Sequence, residues 1–437
     1  MRFRGLWAIN EWELNSSSLF LNFCTAGTVV SRWGLERKLI CATTDQGANI
    51  KKALELYRTD SEVACAWLPC SSHKIQLCIN KALDSSPGAK EVIEKCHKIS
   101  TFFRKNPNAM STLNMQQDKL FGRRCKLLSV AVTRWNSQYD MALRVLRIID
   151  AINTTFSMLD KGPRSEKAKI ADLPLSDQEK SALDEVLRVL KPMAEFTHWA
   201  GQNESLTIAQ MYPKILDMIS RPHTSNTEQA QVLRRKLDEL LMESWPIESI
   251  PDAVLLAMFF NPACASLPIM ARTITGDGVT LLAKAKSLAT DAVVSMLRQH
   301  EAENRRQAEI QLGADHQDQA EQQTNNPEIV NALVADRFWR LQAQYAVDLY
   351  VLQLEIDPGM FKQYEDTPQR YWMERRTANA KAIRDVARSY LCIQATSTAS
   401  ERLLSKAGSI LSSRKASLSD RNFVNIIFYH SFDRFKK

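Results

Sequence analysis

Three short stretches carry residues that could do chemistry. In "TTDQGAN", residues 43–49, an apolar run Leu39-Ile40-Cys41-Ala42 leads into one carboxylate, Asp45, and then into helix-forming residues from about Ala48. A carboxylate at a strand end can hold a hard cation, whereas one just before a helix can accept its free backbone N–H groups. Local sequence by itself favours the cap. Glu401 lies three residues after Thr398 in "TASERLL" and looks like half of a capping box. In "CSSH", Cys70 and His73 invite a zinc reading, but two further ligands are needed and none are near, Cys96 and His97 being adjacent to each other. Arg134 and Trp135 sit in "TRWNS", where a tryptophan on a helix ordinarily packs into a core.

The elements that must position these residues change character along the chain. "ELNSSSLFLNF", "LICATT" and "VACAWLPC" read as strands, alternating with helices in "TAGTVVSRWGLE", "GANIKKALELYR" and "SSHKIQLCINKAL". That alternation predicts parallel pairing. From Lys90 to about His300 the pattern is helical; in "KSALDEVLRVLKPMAEFTHWA", Leu183, Val186, Leu187, Val189 and Leu190 recur at helical spacing. Residues 301–326 are rich in Gln, Glu, Asp and Asn without an aromatic, and read as a mobile loop. Order returns at "ALVADRFWRLQAQYAVDLYVLQLE". The C-terminal stretch reads as a polar cap, a helix, a basic turn holding Arg414 and Lys415, and a second helix capped by Ser419 or Asp420.

The 437 residues carry a net charge of +8, concentrated in two zones. Nine Lys or Arg stand between Arg104 and Arg147 against Asp118 and Asp140, and eight follow Glu401 against Glu401, Asp420 and Asp433. Such zones suit a polyanionic partner. Nine cysteines without paired short spacing read as reduced, intracellular thiols. No run approaches the roughly 18 to 20 apolar residues of a membrane span, and no signal peptide is evident.

Four blocks, "TTDQGANIKKAL", "WLPCSSHKIQLCINKAL", "VTRWNSQYDMALRVL" and "ATSTASERLLSKAGSILSSRKASLSDRNFVNIIFYH", occur in the order and approximate spacing of the hAT-superfamily transposases and their domesticated, BED-finger-associated relatives. The chain resembles that family from about Trp12 to His430. The resemblance implies an α/β ribonuclease-H-like core interrupted by a large all-α insertion. It divides the chain into an N-terminal core part at 1–150, an insertion at 151–345 with a disordered loop at about 301–327, and a C-terminal core part with the dimerisation region at 346–437.

Active relatives use an Asp, Asp, Glu triad to hold two divalent metals, usually Mg²⁺, which together stabilise the attacking and leaving oxygens of a phosphoryl displacement. Asp45 matches the second aspartate and Glu401 the glutamate, making both catalytic and metal-binding candidates, while His73 matches a position close to the scissile phosphate. Every acidic residue before Asp45 is a glutamate (Glu11, Glu13, Glu36), so the fold is expected to be incomplete, its first strand missing. No pair of cysteines followed by a pair of histidines marks a BED finger. By the same resemblance Trp135 stacks an unpaired base; Arg134, Arg414 and Lys415 are the DNA-contacting candidates, and Phe423, Val424, Ile426, Ile427 and Phe428 the dimerisation candidates.

The expected function is that of a transposase-derived nuclear protein. It forms a homodimer or higher homo-oligomer, binds DNA weakly and without sequence preference, and lacks strand transfer; Mg²⁺ is expected only if it is active. Two alternatives stand beside it: a fragment of an active two-metal transposase truncated at its N-terminus, and an unrelated helical scaffold.

Overall fold

A computed structural model describes residues 40–48, 51–52, 55, 65–128, 135–160, 170–202, 207–222, 224–274, 278–312, 327–356, 358–375, 380–410, 422 and 426. Two strands come first, β1 (Cys41–Thr44) and β2 (Ala66–Pro69). Helices follow: α1 (Ser71–Asp84), α2 (Pro87–Lys105), α3 (Pro107–Phe121), α4 (Trp135–Arg147), α5 (Ile149–Leu159), α6 (Asp177–Ala200), α7 (Ile208–Ser220) and α8 (Glu228–Ser244). The remainder is α9 (Asp252–Phe260), α10 (Pro262–Ala265), α11 (Leu281–Leu312), α12 (Pro327–Ile356), α13 (Pro368–Glu374), α14 (Lys381–Leu391) and α15 (Thr398–Ile410).

The chain divides into two compact units. One comprises the described parts of Met1–Cys70, Gln202–Pro213 and Ile247–Lys437, and holds the strands; the other, Ser71–Gly201 with Lys214–Pro246, is helical.

In the first unit β1 and β2 pair in parallel, as the alternation predicts, with Cys41 opposite Ala66 and Thr44 opposite Pro69. All four residues of β1 are buried, so the strand reads as an unbroken run rather than alternating. Helical residues Ala48, Lys51, Lys52 and Glu55 lie in the crossover between the strands. Apart from an isolated bridge between Thr273 and Thr280, the described residues add no further strand. What they form is mostly helical, with a small two-stranded parallel sheet in the first unit.

The helical unit is organised around α6. Its start is a capping box in which the Glu179 backbone N–H donates to Ser176 Oγ and the Ser176 N–H donates to the Glu179 carboxylate. Leu183, Val186, Leu187, Val189 and Leu190 are buried along it, as their spacing predicts. Phe103 of α2 stacks on Phe156 of α5, with ring centroids 5.2 Å apart.

The polar stretch expected to be a loop from 301 departs from that expectation. Residues 301–312 continue α11, which ends at Leu312, and α12 begins at Pro327; residues 313–326 lie outside the described set. Gln, Glu, Ala and Arg are good helix formers, and Arg305 pairs with Glu301 one turn away. Polar composition removes a buried face; it does not remove helix propensity. Among the described residues, no helix is long and apolar enough to cross a membrane.

Candidate functional site

Asp45 sits immediately after β1, where the strand gives way to a turn. Its Oδ1 accepts the Gly47 backbone N–H at 3.1 Å, and the Lys51 N–H donates to the Gly47 carbonyl at 3.0 Å. The carboxylate is therefore both a strand-end group and the acceptor of the turn that starts the next helical residues.

The strand end is held from several sides. Thr43 Oγ1 donates to the Gln394 carbonyl at 2.8 Å, Trp67 Nε1 donates to Thr44 Oγ1 at 2.8 Å, and the Cys70 N–H donates to the Thr44 carbonyl. Lys51 places its ammonium 5.7 Å from the centroid of the Trp67 ring. Thr207 Oγ1 accepts the Ala395 N–H at 3.0 Å, fixing the segment that leads into α15. The Ser397 N–H donates to Cys70 Sγ at 3.4 Å, so the residue following β2 also touches the residue preceding α15.

Glu401 lies in the first turn of α15 and is half-buried. Ser397 Oγ donates to Glu401 Oε1 at 3.3 Å, and the Glu401 N–H donates to the Ser397 carbonyl at 3.1 Å. The partner in this local cap is Ser397 rather than Thr398, one position earlier than the spacing suggests. Asp45 and Glu401 thus occupy the same unit, on segments linked through Thr43 and Gln394, whereas His73, half-buried in the first turn of α1, belongs to the helical unit.

Trp135 opens α4 and is 5% exposed, its ring edge against Tyr139 at 6.2 Å. In this conformation the indole is covered by protein. Ile426 is helical and half-buried. Arg134, Arg414, Lys415, Phe423, Val424, Ile427 and Phe428 lie outside the described residues.

Several buried thiols are held in the protonated form. Burial pushes Cys41 well above its ordinary pKa, with Cys65 and Cys392 adding to the effect, and pushes Cys392 up to about 11 and Cys96 up to about 12. Protonated thiols pack as small apolar groups. Among the described residues no three His, Cys, Asp or Glu side chains gather into a metal-binding group.

The contacts of Gln394, Thr207 and Trp67 around the strand end have no sequence signal, because their partners are distant in the chain. Thr43 and Gln394 are separated by 351 positions.

Residues 360–432 match the hAT family C-terminal dimerisation region. The chain is 26% identical over 226 residues to the transposable element Hobo transposase of Drosophila melanogaster, a match covering 51% of this chain and 30% of that protein. It is 22% identical over 217 residues to the candidate transcriptional regulator tpeD of Talaromyces stipitatus, covering 42% of this chain and 24% of that protein. The matches thus span less than a third of either relative's length. The dimerisation-region match contains the most specific of the four sequence blocks, and together with the similarity to a transposase it supports an hAT-family transposase-like protein over an unrelated scaffold.

Proposed function

We propose that this protein acts as a transposase-derived homodimer that associates with DNA without sequence preference and does not carry out strand transfer. The observation that carries the reading is the match of residues 360–432 to a dimerisation region. A ribonuclease-H-like core belongs to the same proposal, supported by a buried parallel strand that ends in Asp45 and is tied to the segment preceding Glu401. The names of the two relatives, a transposase and a transcriptional regulator, support a nuclear protein that works on DNA.

The missing activity is inferred from the donor set. Asp45 and Glu401 stand at positions matching two of the three members of the family triad. Two carboxylates are too few to hold the cation pair that would stabilise both oxygens of the displacement.

Two measurements test the reading. Light scattering of the purified chain at micromolar concentration is expected to give a dimer; a monomer overturns the oligomeric part. Supercoiled plasmid incubated with the protein and Mg²⁺ or Mn²⁺ is expected to remain intact. Metal-dependent nicking that disappears in Asp45→Asn would show instead the two-metal enzyme.

A further inference from the structure

Helix α12 is apolar on two sides. One side is covered within its own unit, where Ala343, Val347, Tyr350, Val351 and Leu354 are buried. The other is not: Val334, Phe338, Leu341, Tyr345, Leu349, Leu352 and Ile356 are exposed, from 43% at Leu349 to 75% at Ile356. Their steps of four, three and four repeat, so Val334, Tyr345 and Ile356 are 11 residues apart. An 11-residue repeat is close to the natural period of a straight helix, so the stripe runs along one side of α12 without drifting away. Large apolar side chains set in one continuous exposed row mark an interaction surface.

The row also matches itself in reverse. Turned about Tyr345, Val334 falls opposite Ile356, Phe338 opposite Leu352, and Leu341 opposite Leu349. Its margins are complementary in the same sense. Of the other charged residues, Asp336 is engaged by Arg298 and Arg340 by Asp291, while Asp348 pairs with Lys286, all from α11. Arg337 and Glu355 are exposed on one margin of the stripe, near opposite ends. In an antiparallel pair each margin faces its own copy, which sets Arg337 beside the partner copy's Glu355 at both ends. The stripe ends at Ile356, and the dimerisation-region match begins at residue 360.

We infer that α12 pairs antiparallel with α12 of a second copy of this chain, about a two-fold axis at Tyr345, as an interface continuous with the dimerisation region. The inference rests on the dimer proposed above and adds to it a surface, a register and a charge pairing. Such an isologous contact closes on itself and stops at two chains.

The test is made on the full chain. With a short bismaleimide, Tyr345→Cys is expected to give a covalent dimer, while the unsubstituted chain and Val334→Cys alone do not. A mixture of Val334→Cys and Ile356→Cys chains is expected to cross-link. Arg337→Glu and Glu355→Arg are each expected to weaken dimerisation roughly three- to tenfold, because two symmetry-related surface pairs become repulsive, and the double substitution to restore it. All these side chains are exposed, and circular dichroism is expected to show unchanged helix content. A dimer that persists with Tyr345→Cys uncross-linked, yet dissociates in Ile426→Asp, overturns this pairing and leaves the C-terminal reading standing. Stripe residues that cross-link instead to residues 1–39 of the same chain also overturn it. An unsubstituted chain that is monomeric at micromolar concentration overturns both readings.

Discussion

Glu185 is a buried carboxylate on α6, and the stability of the helical unit depends on what it holds. It accepts the backbone N–H groups of Asn226 and Thr227 at 2.9 and 2.8 Å and the Thr227 hydroxyl at 2.7 Å. Thr227 is the residue that should cap α8, but its side chain makes no such bond; the anion 42 positions earlier takes its place at the helix start. Burial works to raise the Glu185 pKa, and the hydrogen bonds from Thr227 and Asn226 outweigh it, leaving the pKa below 4.5. A carboxylate with a depressed folded-state pKa stabilises the fold above its unfolded value and loses that contribution as pH falls through the folded one. Glu185→Gln is therefore expected to cost about 1–3 kcal/mol at neutral pH. Urea denaturation should show the gap between the two proteins closing below about pH 4.5. A gap that stays constant to lower pH would refute the anionic cap.

At the scale of elements, several helix ends are satisfied by distant side chains. The last carbonyls of α9 have no partner within the helix. Tyr350 of α12 donates its hydroxyl to the Phe259 carbonyl, and Trp372 of α13 donates its indole N–H to the Phe260 carbonyl, both at 2.7 Å and both buried. The same rings pack on one another, Tyr350 and Trp372 having centroids 5.0 Å apart. Tyr350→Phe keeps the packing and strands the Phe259 carbonyl, so it is expected to destabilise by about 1–3 kcal/mol. A denaturation midpoint equal to that of the unsubstituted protein would contradict this. Likewise Arg234, on α8, donates to the carbonyls of Met218 and Ile219 at the end of α7, at 2.9 and 3.0 Å, while Asp238 holds its Nε at 2.8 Å.

For the whole molecule, the described part of the first basic zone is mostly exposed. Arg104, Lys105, Lys119, Arg123, Lys126 and Arg147 are exposed in the helical unit; Arg124 is also exposed, with its guanidinium on Asp118. Affinity that arises from phosphate contacts falls linearly with the logarithm of salt concentration, because each contact releases condensed counterions. The proposed DNA association is accordingly expected to weaken steeply between low and physiological salt, equally on unrelated sequences. The pair Arg123→Ala with Lys126→Ala should lower the slope by about two. Fluorescence anisotropy showing a salt-independent affinity would exclude this surface as the DNA contact.

What the sequence determined by itself was local. β1 and β2 were legible as short apolar runs, α1 and α6 as helices of regular apolar spacing, and Asp45 as a carboxylate at a strand end, because a backbone period and a turn leave their mark within a dozen residues. The resemblance to the hAT family was legible for a related reason: its blocks are contiguous stretches. Residues 301–312 misled because polar composition speaks of burial, whereas helicity there follows from propensity and neighbouring charges. Only the tertiary structure decided that Trp135 is covered and that Glu185 serves a helix 42 positions away. It also decided that the strand end carrying Asp45 is tied to residue 394. In α12 apolar residues surround the axis, and no period within the helix can tell which side its own unit will cover. That choice is made by the elements packed against it, through contacts between segments that the chain keeps far apart.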